Sequence, residues 1–183
     1  MIYLFLANGF EECEALCPLD LMRRAKIEVT TVGVGGKYIE GAHGITVCAD
    51  ITDAELCDDA PDGVILPGGM PGTLNLDACA AVHKALDAAE KRGALICAIC
   101  AAPSVLGKRG MLRGKRAVCF PGFEGYLEGY IPSDARAIRD GNVITAVGMG
   151  AAFEFGILIV AALKGDEVAA SLAASALLPD STK

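Results

Sequence analysis

A chain of 183 residues with 53% hydrophobic residues, 5% aromatic residues and no tryptophan has the length for one aliphatic core, burying roughly 70% of the surface its unfolded form exposes. The net charge of -7 is spread over both halves and argues against nucleic acid as the main partner, because phosphate contacts need clustered Lys and Arg. None of the 8 cysteines (Cys13, Cys17, Cys48, Cys57, Cys79, Cys97, Cys100, Cys119) has zinc spacing, and no apolar run reaches the roughly 20 residues of a membrane span, so the expectation is a cytoplasmic protein with free thiols.

In chain order, short β-rich runs alternate with helical patterns. Ile2 to Leu6 reads as a strand, Glu12 to Ala25 as a helix, and Ile27 to Val34 as a second strand. Gly35-Gly36 opens a turn, and Tyr38-Ile39 with Gly44 to Val47 predicts a small hairpin off the main sheet, placed to meet an interface. Gly63 to Leu66 is a buried strand ending in Pro67-Gly68-Gly69, with a helix over Ala78 to Arg92. Leu95 to Ile99 is the next strand, Ala101 to Gly107 a helix, Ala117 to Phe120 a strand and Pro121 to Pro132 a loop. Ala135 to Ile138 and Val143 to Val147 flank Arg139 to Asn142, whose Asp140-Gly141 signals a tight hairpin. Gly148 to Gly150 leads into Ala152 to Leu163, a helix apolar on most sides and so expected inside the body; Glu167 to Leu177 closes the chain as a helix. The pattern predicts one domain over residues 1–183, a three-layer α/β/α sandwich with a mostly parallel sheet and functional loops at the strand C-termini.

Gly93 to Pro103 carries the strongest chemical signal. A buried apolar strand runs straight into Cys100, with small residues at Ala98 and Ala102 suited to a sharp strand-to-helix turn that strains its central residue, the arrangement of a nucleophile elbow. Pro103 opens the following helix, and a helix N-terminus with unpaired N–H groups favours the thiolate. Cys97-x-x-Cys100 matches a redox spacing, but Cys97 lies within the strand and its side chain is expected to point away from the turn. Gly68 and Gly69 read either as an ordinary turn or as a close backbone approach whose N–H groups, with that of Ala101, face a substrate oxygen. Glu11, Glu12 and Glu14 read either as acids that suit a helix N-terminus or as catalytic carboxyls. His83 falls on a charged helix and is expected to face solvent.

Asn8-Gly9-Phe10-Glu11-Glu12-Cys13-Glu14, Leu66-Pro67-Gly68-Gly69, Ala98 to Pro103 and Gly148 to Phe155 occur in order, each at a predicted strand end, and together resemble the ThiJ/PfpI superfamily. Within it, Glu14 to Ala25 and the Gly148 segment resemble the branch of the parkinsonism-associated deglycase and its bacterial relatives. The resemblance implies a flavodoxin-like fold, a homodimer, and Cys100 as the reactive cysteine beside a protonated Glu14. It implies a cofactor-independent, metal-free activity on small carbonyls, of the glyoxalase III type acting on methylglyoxal or of the deglycase type acting on early glycation adducts. The alternative role is an oxidative-stress sensor or chaperone in which Cys100 is oxidised. Gly148 to Ala151, Gly150 among them, read either as the start of a helix or as a lining of the pocket beside the elbow, and the resemblance lets His43 and Arg24 reach across a dimer interface. One departure stands out: where many members carry a His after the strand that follows the elbow helix, this chain has Phe120. That weakens a peptidase or amidotransferase reading, which needs a base beside the sulfur.

Overall fold

The computed structural model describes residues 1–56 and 61–178; Cys57 lies outside them. Strict alternation on the central strands builds the layers. On β1 (Ile2–Leu6), Ile2, Leu4 and Leu6 join one apolar core while Tyr3 and Phe5 join the other, so both faces of the strand demand a cover. The chain continues through α1 (Glu12–Arg24), β2 (Val29–Gly33), β3 (Tyr38–Glu40), β4 (Thr46–Cys48), β5 (Ile51–Thr52), β6 (Gly63–Leu66), α2 (Gly72–Asp77) and α3 (Ala80–Arg92). It then forms β7 (Leu95–Ile99), α4 (Pro103–Lys108), β8 (Arg116–Ala117), β9 (Ile131–Pro132), β10 (Ala137–Asp140), β11 (Val143–Ala146), α5 (Ala152–Lys164) and α6 (Asp166–Ser175).

The main sheet has the order β10-β11-β7-β6-β1-β2-β5, parallel throughout except for β10, which returns antiparallel on β11 through the predicted Asp140-Gly141 turn. Helices α1, α5 and α6 cover one face with Ala15, Leu19, Met22, Phe155 and Ala169; α2, α3 and α4 cover the other with Leu76, Leu86 and Val105. At Gly156 a Cβ would lie 2.7 Å from Leu21 Cδ1 and 3.0 Å from Pro18 Cα, so the missing side chain is what lets α5 press against α1. Register then sets the site. Ala98 on β7 pairs with Leu66 of β6 on one side and Thr145 of β11 on the other, which brings the loops after all three strands to one edge.

The predicted α/β/α sandwich holds, with local corrections. The strand expected over Ala117 to Phe120 is a two-residue bridge, Arg116 and Ala117 against Ile131 and Pro132, because Val118 N–H turns to Thr145 Oγ1 at 2.9 Å and Phe120 N–H to the Cys100 carbonyl at 2.8 Å. The helix expected over Ala78 to Arg92 is α3, starting two residues later, the short α2 before it was not expected, and β5 extends the sheet by an edge strand whose two residues are too few to leave a pattern. Helix α5 is not sunk in the body: Phe155, Ile159 and Val160 are buried, but Phe153 is exposed and Ile157 and Leu158 only half-buried. No described helix is long and apolar enough to cross a membrane.

Helix α1 is tied to the β3–β4 hairpin by a carboxylate. The buried Glu12 side chain accepts from His43 N–H at 2.8 Å and Ile45 N–H at 3.4 Å and lies 2.8 Å from His43 Nδ1. Burial alone would raise the Glu12 carboxyl, yet the bonds from His43 hold it below the ordinary range, and the same contact raises His43. Glu12→Ala strands two backbone donors, so urea unfolding is expected to show a loss of about 2 kcal/mol. An unchanged midpoint would show that the hairpin holds its place without this anchor.

Candidate active site

The turn after β7 is strained as its sequence predicts. Cys100 has φ 63°, in the left-handed region where a residue with a Cβ pays about 1–3 kcal/mol. Two backbone bonds hold it there: Cys100 N–H donates to the Ala146 carbonyl at 2.9 Å, and the Cys100 carbonyl accepts from Phe120 N–H at 2.8 Å. With both main-chain groups tied to neighbouring segments and Ala101 and Ala102 fully packed behind it, the half-buried sulfur is the free end of the elbow. Cys97 by contrast is completely buried in the apolar layer, and desolvation pushes its thiol far up, so it is no resolving partner at the surface.

Glu14, only 1% exposed, rises from the first turn of α1 to meet the elbow. Its Oε2 accepts from Gly68 N–H at 2.9 Å, and the side chain bonds to Cys100 and to the amide of Met149. Burial dominates and pushes the carboxyl up to about 7, against the lowering by those donors. The Cys100 thiol is pushed up to about 12 by burial and by the adjacent Glu14, with the amides of Gly69 and Ala101 pulling the other way. A helix-dipole thiolate, expected from Pro103, is therefore not the ground state here: α4 starts three residues beyond the sulfur and has only six residues, too little to offset desolvation and a neighbouring carboxylate. Two adjacent anions are disfavoured, so the pair carries both protons below about 7 and a single one, between carboxyl and sulfur, above it, and a protonated Glu14 turns from an opponent of the thiolate into its donor.

Five expected site residues converge, with altered roles. Gly68 spends its N–H on Glu14 rather than on a substrate oxygen, leaving the amides of Gly69 and Ala101 as the donors at sulfur. Gly150 does not reach the pair: it is exposed, and its carbonyl accepts from Arg136. Met149, within the Gly148 to Ala151 segment expected beside the elbow, takes that place through its amide; it was not singled out because a backbone donor leaves no mark in side-chain type. Within the chain, His43 is held on Glu12 and Arg24 pairs with Asp20 at 2.7 Å on its own helix. His83 does not simply face solvent: its Nε2 lies 2.6 Å from the Asp77 carbonyl and its Nδ1 2.7 Å from Arg109, bridging α2 and α3 to the end of α4. Among the described residues Glu11, Glu12 and His43 bring ligand-type atoms within 4.8 Å of one another. These atoms already serve the fold, Glu11 as the α1 cap accepting from Glu14 N–H at 2.7 Å and Glu12 as the hairpin anchor.

A flavodoxin-like sandwich with a strained cysteine elbow and a buried acid beside it defines a recognisable class. The DJ-1/PfpI family model matches residues 1–162, and the chain belongs to that family. It is 41% identical over 180 residues to the Parkinson disease protein 7 homolog of Danio rerio, covering 96% of this chain and 95% of that one. It is 32% identical over 164 residues to the glutathione-independent glyoxalase DJR-1.2 of Caenorhabditis elegans, covering 88% and 87% of the two chains. Among solved structures, a DJ-1 superfamily protein from Salmonella typhimurium superposes with a TM-score of 0.92 at 35% identity, over 97% of this chain and 98% of that one. Oxidised Toxoplasma gondii DJ-1 superposes equally well, TM-score 0.92 at 31% identity over 97% of each chain.

Two consequences are measurable. A Cβ on Gly68 would lie 2.6 Å from both Cys100 Cβ and Glu14 Oε2, so Gly68→Ala is expected to separate the pair and cost about 2 kcal/mol; a variant with native stability and native Cys100 reactivity would contradict this. The raised Glu14 carries a stability sign. Between the unperturbed value of 4.5 and about 7 the unfolded chain ionises this carboxyl while the folded chain keeps its proton, so stability is lost as pH rises through that window, by about 3 kcal/mol in the limit. Urea unfolding of Glu14→Gln is expected to gain about 2 kcal/mol on the parent between pH 4 and pH 8; parallel pH dependences would show that Glu14 is not raised.

Proposed function

We propose that this protein is a cofactor-independent enzyme of the glyoxalase III type, acting on 2-oxoaldehydes such as methylglyoxal through Cys100. The observation that carries the reading is the contact of Cys100 with a buried acid lifted to about 7, beside two amides aimed at the sulfur. An acid poised near the working pH serves as base and acid in turn. As carboxylate, Glu14 takes the Cys100 proton while sulfur bonds to the aldehyde carbon and the carbonyl π pair moves onto oxygen. That oxygen develops charge beside the amides of Gly69 and Ala101, then receives the proton from Glu14 to give a hemithioacetal. Loss of the carbon-bound proton and its return at the neighbouring carbon, with the hydroxyl proton of the hemithioacetal passing to the ketone oxygen, oxidise the first carbon and reduce the second, leaving a hydroxyacyl thioester. Water cleaves the thioester to the hydroxy acid and restores the thiol, with no external oxidant or reductant.

The printed activity of the Caenorhabditis elegans relative supports this reading. Deglycation of early adducts would use the same hemithioacetal chemistry. We place the protein in the cytoplasm as a homodimer whose interface takes in α1 and the β3–β4 hairpin, with His43 and Arg24 near the partner; the seven free cysteines of the described residues and the exposed Tyr38 and Ile45 on the hairpin support it. A second reading, Cys100 as an oxidation sensor, draws on the oxidised state in which the Toxoplasma gondii relative was solved. A peptidase-type mechanism lacks support, because Phe120 stands beside the elbow where a base would be needed.

Cys100→Ser is expected to lower lactate formation from methylglyoxal at least 10³-fold, measured without glutathione, because a serine hydroxyl is a far weaker nucleophile at this pH. Native-like turnover in the folded variant would exclude the covalent route. For the parent enzyme kcat/KM is expected to rise with pH through about 7, as the pair loses its first proton, and to stay level to pH 9; Glu14→Gln removes the rise. A flat profile in the parent would remove Glu14 from the proton transfers.

A further inference from the structure

The three loops whose backbone groups touch the reactive pair each carry a large, half-exposed apolar side chain. Met70 follows the Gly69 amide that bonds Cys100, Phe120 N–H bonds the Cys100 carbonyl, and the Met149 amide bonds Glu14; these side chains are 47%, 48% and 56% exposed. The position of Phe120 is the most telling. A Cβ built on Gly148 would lie 3.3 Å from Phe120 Cδ2 and 3.8 Å from Glu14 Oε1, so the phenyl ring and the acid flank one small gap beside this glycine. A ring half in water beside a strained nucleophile is apolar surface waiting for an apolar group, and its edge offers no proton to the reaction.

We propose that Phe120, with Met70 and Met149, forms an apolar collar that selects the substituent next to the reacting carbonyl, so that the preferred substrates of Cys100 are 2-oxoaldehydes bearing a bulky apolar or aromatic group. The identity of the substrate rests on the glyoxalase-type reading; the apolar selection at sulfur does not. In this arrangement Cys100 and Glu14 supply the chemistry, the amides of Gly69 and Ala101 receive the carbonyl oxygen, and Phe120 packs against whatever that carbonyl carries. Glyoxal, which presents only hydrogen, leaves the ring wet, whereas phenylglyoxal covers it. The gain comes from the same ring that occupies the position where many family members have His.

Two measurements separate the collar from the enzyme reading. First, kcat/KM is compared for glyoxal, methylglyoxal and phenylglyoxal, with rates corrected for the reactivity of each aldehyde toward a small free thiol. The parent is expected to favour phenylglyoxal over glyoxal by at least about tenfold; Phe120→Ala is expected to erase most of that ratio and Phe120→Leu to restore part of it. Second, Cys100 alkylation by iodoacetanilide is compared with iodoacetamide, again against a free thiol, with the same preference and the same dependence on Phe120. Phe120 is half-exposed, so these variants are expected to fold, and both readouts are ratios within one variant. Turnover with a ratio that ignores Phe120 would overturn the collar and leave the enzyme standing. No turnover of any 2-oxoaldehyde, with an aryl preference at sulfur that vanishes in Phe120→Ala, would overturn the enzyme reading and support the collar. Loss of the preference in both assays for the parent would overturn the collar outright.

Discussion

The structure turns on the contact between a buried carboxyl and a sulfur held in a backbone conformation that neither residue would choose alone. Glu14 comes from a helix and Cys100 from the end of a strand 86 positions later, so the contact exists only when the sheet and the α1 layer have both formed. Neither group is comfortable: the acid loses water, and the cysteine adopts φ 63°. What compensates is the surrounding register. Ala98 is fixed between Leu66 and Thr145, Cys100 N–H is fixed to Ala146, and Gly68 N–H is fixed to the acid, so relief of either strain would break ladder bonds on both sides of β7.

Glycine is what makes that crowding possible. At Gly68 a methyl group would overlap both members of the pair, and at Gly148 it would fill the gap between Phe120 and Glu14. The two glycines act differently. Gly68 closes the distance between acid and thiol from beneath, while Gly148 leaves space between the ring of Phe120 and the acid. A family of loops at the C-terminal edge of a parallel sheet thus yields a site with a tight floor and an apolar mouth, the place where open α/β sheets put their ligands.

Much of this was legible in the chain. The strand alternation over Ile2 to Leu6 and Leu95 to Ile99, the Asp140-Gly141 hairpin and the small residues around Cys100 each carry a local physical meaning that tertiary context did not overturn. What escaped was set by contacts remote in sequence. The Ala117 to Phe120 run has strand composition, but its donors are taken by Thr145 and Cys100, so it bends across the site instead of joining the sheet. The ionisation of Cys100 was misjudged for a related reason: an N-terminal proline and a helix start are visible in sequence, whereas the acid that raises the thiol and the depth of its burial are not. Backbone donors are foreseen only where glycine or an elbow marks them: the amides of Gly69 and Ala101 were legible beside the strand ends, whereas that of Met149 matters through position and not through residue type.

On the proposed mechanism, a proton shared between carboxyl and sulfur would let one site serve both carbonyl chemistry and thiol oxidation. A sulfur ionised throughout would be exposed to every oxidant, and one held at about 12 without help would attack nothing near neutrality. Coupling it to an acid at about 7 makes the nucleophile conditional: charge reaches sulfur only as the proton passes to Glu14. In catalysis that transfer is driven by bond formation to carbon and reversed when oxygen takes the proton. In oxidation the added sulfur-bound oxygens would retain the charge, and the protonated Glu14 would become their permanent donor. On that mechanism the two fates would differ in whether the proton on Glu14 returns, and the proposed apolar collar, above all the ring of Phe120, would set the outcome by deciding which electrophile arrives first.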